Sequence, residues 1–354
     1  MDIDQKIICL NPFMWFDVGP EGIVHVCCPG WLEMPIGDLK NSSVDEIWNG
    51  KNAREIRQSI IDGSFRYCNL DKCGYFQSRL GPVKKLGEVE VQKIREAIVN
   101  KTTHLPFGPL GINCSYDRSC NLSCPSCRET VIVQTDKEEQ ILEIQNKLRN
   151  QALKDICFLN ITGSGDPFGS PYFRKWLQTM RRDEMPNLNI IQLHTNGQLW
   201  TPQLWDTLPE EIRPLINRTQ ISIDAACAGT YAINRRGGSF EKLLENLEFI
   251  SRLRKEGPLQ WVVISMVVQE NNFREMPDFI RLGKRFGFDR VMFSLLQNWG
   301  TYSEKEYQNR CVHLPNHPGH QEFLMVLKDE LFDDGIVNLG SLTKYRNQIL
   351  KKDL

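Results

Sequence analysis

The stretch Cys120-Asn-Leu-Ser-Cys124-Pro-Ser-Cys127 decides how the rest of the chain is read. Its three thiols stand in a C-x3-C-x2-C spacing, and a loop of that length presents each sulfur to a different iron of an iron–sulfur cube. A structural zinc site prefers four closed ligands, so a trio with one vacant corner points to chemistry at the metal. The plain alternative is a zinc knuckle completed by Cys114 or by a distant ligand.

Outward from that loop, strand-like and helix-like segments alternate from residue 108 onward. Apolar runs occupy 110–116, 156–162, 189–195, 219–224, 261–268 and 290–296. Helical patterns lie between them at 138–150, 171–182, 240–255 and 273–286. Ser170-Pro171 and Thr201-Pro202 each set an N-cap before a proline at the first helical position. Six β/α units with mostly apolar strands predict an α/β fold, a partial (β/α)6 TIM-like barrel with a parallel sheet under helices. The cysteine triplet then falls in the loop after the first strand, at the C-terminal edge where such folds carry their chemistry.

Residues 1–80 read as a separate, small, Cys-rich domain. In it, Ser43-Val-Asp-Glu46 is a capping box opening a helix that runs to about Asp62, with Gly63 as its stop. Residues 81–107 read as a helical connector, with a charged amphipathic helix over 85–100. The barrel covers 108–300, and 301–354 forms a tail with one or two short helices that covers it. His313, His317 and His320, interrupted by Pro315 and Pro318, read as a mobile surface loop.

The 43 basic and 44 acidic residues among 354 leave a net charge of −1, which argues against nucleic acid or an anionic membrane as partner. The longest apolar stretch, Trp261–Val268, is too short to span a bilayer. The opening MDIDQKIICLNPF lacks the basic n-region of a signal peptide. A soluble, cytoplasmic protein is expected. Twelve cysteines in a reducing compartment, clustered before residue 74 and between 114 and 127, suit metal binding better than disulfides.

Over 108–300 the chain resembles the radical S-adenosylmethionine (SAM) superfamily. Cys120-x3-Cys124-x2-Cys127 looks like that family's cluster loop, and Ile161-Thr-Gly163-Ser164-Gly165-Asp166-Pro looks like its glycine-rich motif. Thr195-Asn196-Gly197 follows the third strand, Ser222-Ile-Asp224 ends the fourth, and Asn234-Arg235-Arg236-Gly-Gly-Ser-Phe240 opens the next helix. The resemblance implies that Cys120, Cys124 and Cys127 hold a [4Fe-4S] cluster whose open iron is chelated by SAM. It implies that Gly163, Ser164 and Gly165 bring backbone up to the methionine amino group, whose protons Asp166 or backbone carbonyls accept. Thr195, Asn196, Ser222 and Asp224 are then hydrogen-bond partners of ribose and carboxylate, and Arg235 or Arg236 pairs with the carboxylate. One departure is Ser126, where many members have an aromatic residue. An electron from a low-potential donor such as flavodoxin or ferredoxin would break the sulfonium bond and start hydrogen abstraction.

The amino-terminal segment resembles the auxiliary-cluster modules of the same family, SPASM and its shorter form Twitch. Cys9-x12-Gly22-x4-Cys27, Val44-Asp-Glu-Ile-Trp48 and Cys68-x4-Cys73 follow that pattern, although the module here precedes the barrel instead of following it. The resemblance implies a second, auxiliary [4Fe-4S] cluster on Cys9, Cys27, Cys68 and Cys73, with Cys28 an alternative to Cys27 and a four-thiolate zinc site the competing view. The segment 298–323 resembles carbohydrate and secondary-metabolite members, which implies a small-molecule or glycan substrate, a sugar or glycan unit first, undergoing epimerisation or dehydrogenation. Cys227 and Cys311 are candidate hydrogen donors for an epimerase. A maturase of a ribosomal peptide, and outside enzymes a two-cluster electron-transfer protein, are the alternatives.

Overall fold

A computed structural model describes residues 3–78 and 81–351. The expected domain boundary at residue 80 and the last residues of the tail, 352–354, lie outside the described residues. Twelve strands follow in chain order: β1 Ile7–Cys9, β2 Trp15–Val18, β3 Ile23–His25, β4 Gly37–Asp38, β5 Val83–Lys85, β6 Gly111–Cys114, β7 Phe158–Ile161, β8 Ile190–Thr195, β9 Ile216–Ser222, β10 Trp261–Val268, β11 Arg290–Leu295 and β12 Val337–Asn338. The six expected barrel strands are β6 to β11, each inside or within a few residues of its apolar run. The chain divides into two compact units that interleave along the sequence. One holds residues up to 118, 134–164 and 180–191, and the other holds 119–133, 165–179 and 192 onward.

In the first unit the strand order is β4-β3-β2-β6-β7, with β2 parallel to β6 and β6 parallel to β7. The Cys-rich segment therefore adds its strands to the sheet that the first barrel strands begin. Alternation sorts the two faces. Phe16, Val18, Ile112, Cys114, Leu159 and Ile161 are fully buried on one, and Asp17, Asn113 and Asn160 sit in register on the other. The capping box forms as read, since Ser43 accepts from the Glu46 N–H and Glu46 reaches back to Ser43. Two helices follow it, Val44–Trp48 and Lys51–Ile61, where a single one was expected. The break falls at Asn49 and Gly50, and a Cβ on Gly50 would stand 2.8 Å from the Glu46 carbonyl. The stop at Gly63 holds, with φ +79°. The connector is β5, a short turn and the helix Gln92–Val99.

In the second unit, which takes β8 from residue 192 onward, the order is β8-β9-β10-β11-β12, and β9 to β12 are mutually parallel. Thr201 caps its helix by accepting from Leu204 N, and Ser170 Oγ accepts from Phe173 N at 2.9 Å. Helix Met276–Phe286 lies directly on β11 because residue 283 is glycine: a Cβ there would stand 2.4 Å from Val291 Cγ2. The tail is richer than expected. It carries helices Glu304–Arg310, His320–Val326 and Thr343–Lys351, and β12, which extends the sheet. His320 is buried at the start of a helix against Phe323 and Tyr345, which corrects the surface-loop expectation for that histidine. Among the described residues no helix is long and apolar enough to cross a membrane.

Candidate active site

The cluster loop is held by its own backbone. Cys120 N–H donates to Ile132 O at 2.9 Å, and Cys127 and Arg128 N–H both donate to Cys124 O at 2.9 Å. Cys120 and Cys124 are buried, and Cys127 packs beside them with Leu122. Burial pushes the Cys120 thiol up to about 11 and raises Cys124 despite the neighbouring Arg235 charge. Cysteine ligates iron as the thiolate, so a cluster bound by this loop would displace protons.

Around the loop the second unit assembles a polar scaffold. Asp166 has both oxygens occupied by four donors of the chain. Oδ1 accepts from Phe168 N (3.0 Å) and Gly169 N (2.8 Å), and Oδ2 accepts from Thr195 Oγ1 and Asn196 N, both at 2.8 Å. The residue expected to receive an ammonium group is in this structure a brace that locks the glycine-rich turn to the end of β8. Asn196 continues the brace, donating to Asn121 Oδ1 at 2.9 Å and to Cys120 Sγ at 3.6 Å. Gly165 begins a segment of this unit, whereas Gly163 and Ser164 end a segment of the first, where Ser164 Oγ donates to Ser115 O.

Asp224 and Arg235 are joined to each other. Their oxygen and nitrogen stand 2.7 Å apart, and Arg235 Nη1 lies 3.7 Å from Cys124 Sγ. Burial raises the Asp224 pKa, which the Arg235 charge and the Val267 N–H (2.7 Å) only partly offset. Asp224 keeps a left-handed backbone, φ +58°, and Asn234 and Asn272 amides hold its carbonyl from two sides, each at 3.0 Å. Such over-determination preserves an unfavourable backbone conformation. Arg236, the other candidate cation, is turned onto the cluster loop, at 3.1 Å from Ser123 Oγ and bonded to Glu129 O. Ser222 faces His194 Nε2 at 3.0 Å, and burial plus the Arg235 charge pulls that imidazole down to about 4. Neither His194 nor Arg128 was singled out from sequence; for Arg128 the available signal was its place directly after Cys127, which it bonds. Cys227 is exposed and donates to Glu275 Oε1 at 3.3 Å, whereas Cys311 is fully buried beside Tyr307.

The second candidate centre lies within the first unit. Cys9, Cys27, Cys68 and Cys73 line one cavity, walled by Leu32, Ile60, Phe65 and Tyr75. Cys28 is not part of that lining, which favours Cys27 of the adjacent pair. Among the described residues no three His, Cys, Asp or Glu groups close on a single ion. Burial pushes Cys27 up to about 12 and Cys68 to about 11, and raises Cys9 further still. Four thiols around an apolar cavity fit a polynuclear cluster in both donor chemistry and burial.

Residues 115–283 match the radical SAM superfamily, and residues 9–74 match SPASM, an iron–sulfur cluster-binding domain. Among solved structures, the chain is similar to Streptococcus suis SuiB bound to precursor peptide SuiA, at 12% identity and TM-score 0.43, over 98% of this chain and 74% of that one. SuiB bound to S-adenosylmethionine aligns at 14% identity and TM-score 0.40, over 84% of this chain and 58% of that one. Native anSMEcpe with bound AdoMet aligns at 20% identity and TM-score 0.42, over 64% and 60%. The chain thus spans 58% of the length of the SAM-bound SuiB chain. No curated protein matches it.

Proposed function

Because this chain belongs to the radical SAM superfamily and carries a SPASM iron–sulfur module, we propose that it abstracts hydrogen from a small hydroxylated substrate, a sugar or glycan unit, leading to epimerisation or dehydrogenation. Its cofactors are SAM, the [4Fe-4S] cluster that binds SAM and an auxiliary cluster, and together they supply the hydrogen-abstracting chemistry. Cys120, Cys124 and Cys127 hold the first cluster, on a loop kept in place by Asp166, Asn196 and Arg236. Thr195, Ser222, Asp224 and Arg235 shape the adjoining polar surface for SAM. Cys9, Cys27, Cys68 and Cys73 would hold the auxiliary cluster, which would supply an electron acceptor for a dehydrogenation. In an epimerisation the hydrogen donor is Cys227, whose thiol is exposed and oriented by Glu275. A low-potential donor such as flavodoxin or ferredoxin supplies reducing electrons, and twelve free cysteines suit the cytoplasm.

The observation that favours a polar, hydroxylated ligand is the row Asp17–Asn113–Asn160, within the first unit. Asn113 Nδ2 donates to Asp17 Oδ1 at 2.7 Å, Asn160 Nδ2 donates to Asn113 Oδ1 at 2.5 Å, and Asn160 Oδ1 is buried without a partner. A buried acceptor left open asks for an O–H or N–H from a ligand. A carboxyl lifted to about 6 by burial, as Asp17 is, is suited to accept a hydroxyl proton near neutral pH.

Anaerobic reconstitution with iron and sulfide, then dithionite and SAM, provides the test. Release of 5′-deoxyadenosine stimulated by one of a panel of hexoses, hexosamines and nucleotide-linked sugars is the expected result. Deuterium gained from heavy water marks an epimerase, and loss of two hydrogens marks a dehydrogenase. Stimulation by peptides alone would replace the sugar assignment with peptide maturation. Reducible clusters with no SAM cleavage would leave an electron carrier.

A further inference from the structure

Each thiol of the cluster loop meets N–H donors. Leu122 N and Asn196 Nδ2 lie 3.5 and 3.6 Å from Cys120 Sγ, Arg235 Nη1 lies 3.7 Å from Cys124 Sγ, and Arg128 Nη2 lies 3.3 Å from Cys127 Sγ. Two of these donors are guanidinium groups. The Arg235 charge is offset by Asp224 at 2.7 Å. Arg128 makes the shortest of the four N–H···S contacts, is only 5% exposed, and directs its charge at all three thiols. Its own N–H is fixed on Cys124 O, so the side chain starts from a backbone position that the loop itself dictates.

Hydrogen bonds to the sulfurs, local charge and exclusion of water set the reduction potential of an iron–sulfur cluster. Adding an electron makes the cluster more negative, so a cation held nearby in a low-dielectric environment stabilises the reduced form more than the oxidised one. From this geometry we propose that Arg128 sets the reduction potential of the SAM-binding cluster, raising it into the range of its electron donor. This inference rests on the assignment of Cys120, Cys124 and Cys127 as cluster ligands. Arg128 is on this account a tuning residue that acts through the sulfurs, and no substrate contact is required of it.

The test compares wild type, Arg128→Gln and Arg128→Lys as anaerobically reconstituted full-length protein, titrated with dithionite and followed by electron paramagnetic resonance. The signal that changes on adding SAM reports the SAM-binding cluster, and the SAM-insensitive signal serves as the internal reference. The expected result is a shift of the SAM-responsive cluster to more negative potential in Arg128→Gln, a smaller shift in Arg128→Lys, and a reference that stays in place. An unchanged potential at full iron content would overturn the proposal, as would an equal shift of both signals. Loss of the SAM-responsive cluster in both variants would also overturn it, because Arg128 would then be needed only to build the loop. Wild-type protein with no SAM-responsive signal would defeat the ligand assignment itself, a failure visible before any variant is made.

Discussion

Asp17 ties one side chain to the behaviour of the folded protein in acid. Burial lifts its pKa from 3.8 to about 6, and the Asn113 hydrogen bond recovers only part of that cost. The folded chain therefore binds an extra proton between these two values. The contribution of Asp17 to stability is full below the lower one and is lost as pH rises through the upper one. Asp17→Asn keeps an acceptor for Asn113 and removes the charge. It should raise the unfolding free energy by about 1–3 kcal/mol at pH 7.5 and by nothing near pH 3.5, as measured by urea unfolding. An equal gain at both pH values would exclude the charge as its cause. The residue-level content of the sequence was uneven. The cysteines were legible because spacing alone carries their chemistry. Asp17 was not, because its partner comes from tertiary placement, Asn113 lying 96 positions away; Asn196 was marked by its motif, but its bond to Cys120, 76 positions off, was hidden for the same reason.

At the scale of elements, the strands β6 to β11 were visible because each carries buried apolar residues at alternate or closer positions. The caps at Ser43, Ser170 and Thr201 were visible for an equally local reason. The pairing of β2 with β6 was hidden, since Trp15–Val18 is four residues long and a parallel partner leaves no turn signal between strands. The split of the expected helix at Gly50 was hidden as well, because the patterns on either side of it continue one another. Helix Met276–Phe286 offers the sharpest element-level test. Gly283→Ala places a methyl on a fully buried Val291, and the helix has to lift from β11 or the valine has to change rotamer. The expected loss is about 1–3 kcal/mol of stability, seen as a lower urea midpoint. A neutral result would mean that this contact is loosely packed.

At the scale of the whole molecule, the two candidate centres belong to different compact units and are separable by mutation. Replacing Cys9 and Cys27 together with Ala should lower iron content by about half, since one of two four-iron clusters is lost. SAM cleavage should persist in that variant, and turnover of substrate should fall if the auxiliary cluster takes an electron. Loss of both signals together would show that the centres are not independent. The interleaving of the units has a separate consequence, for synthesis. Strand β2 leaves the ribosome with the edge that pairs β6 still open, and its unit is completed only by the segment ending at residue 191. At about 5–20 residues per second, the interval between those strands lasts roughly 5–20 s. A bare parallel edge exposed for that long is an aggregation template, so slower expression with chaperones present should raise recombinant yield more than any change of buffer.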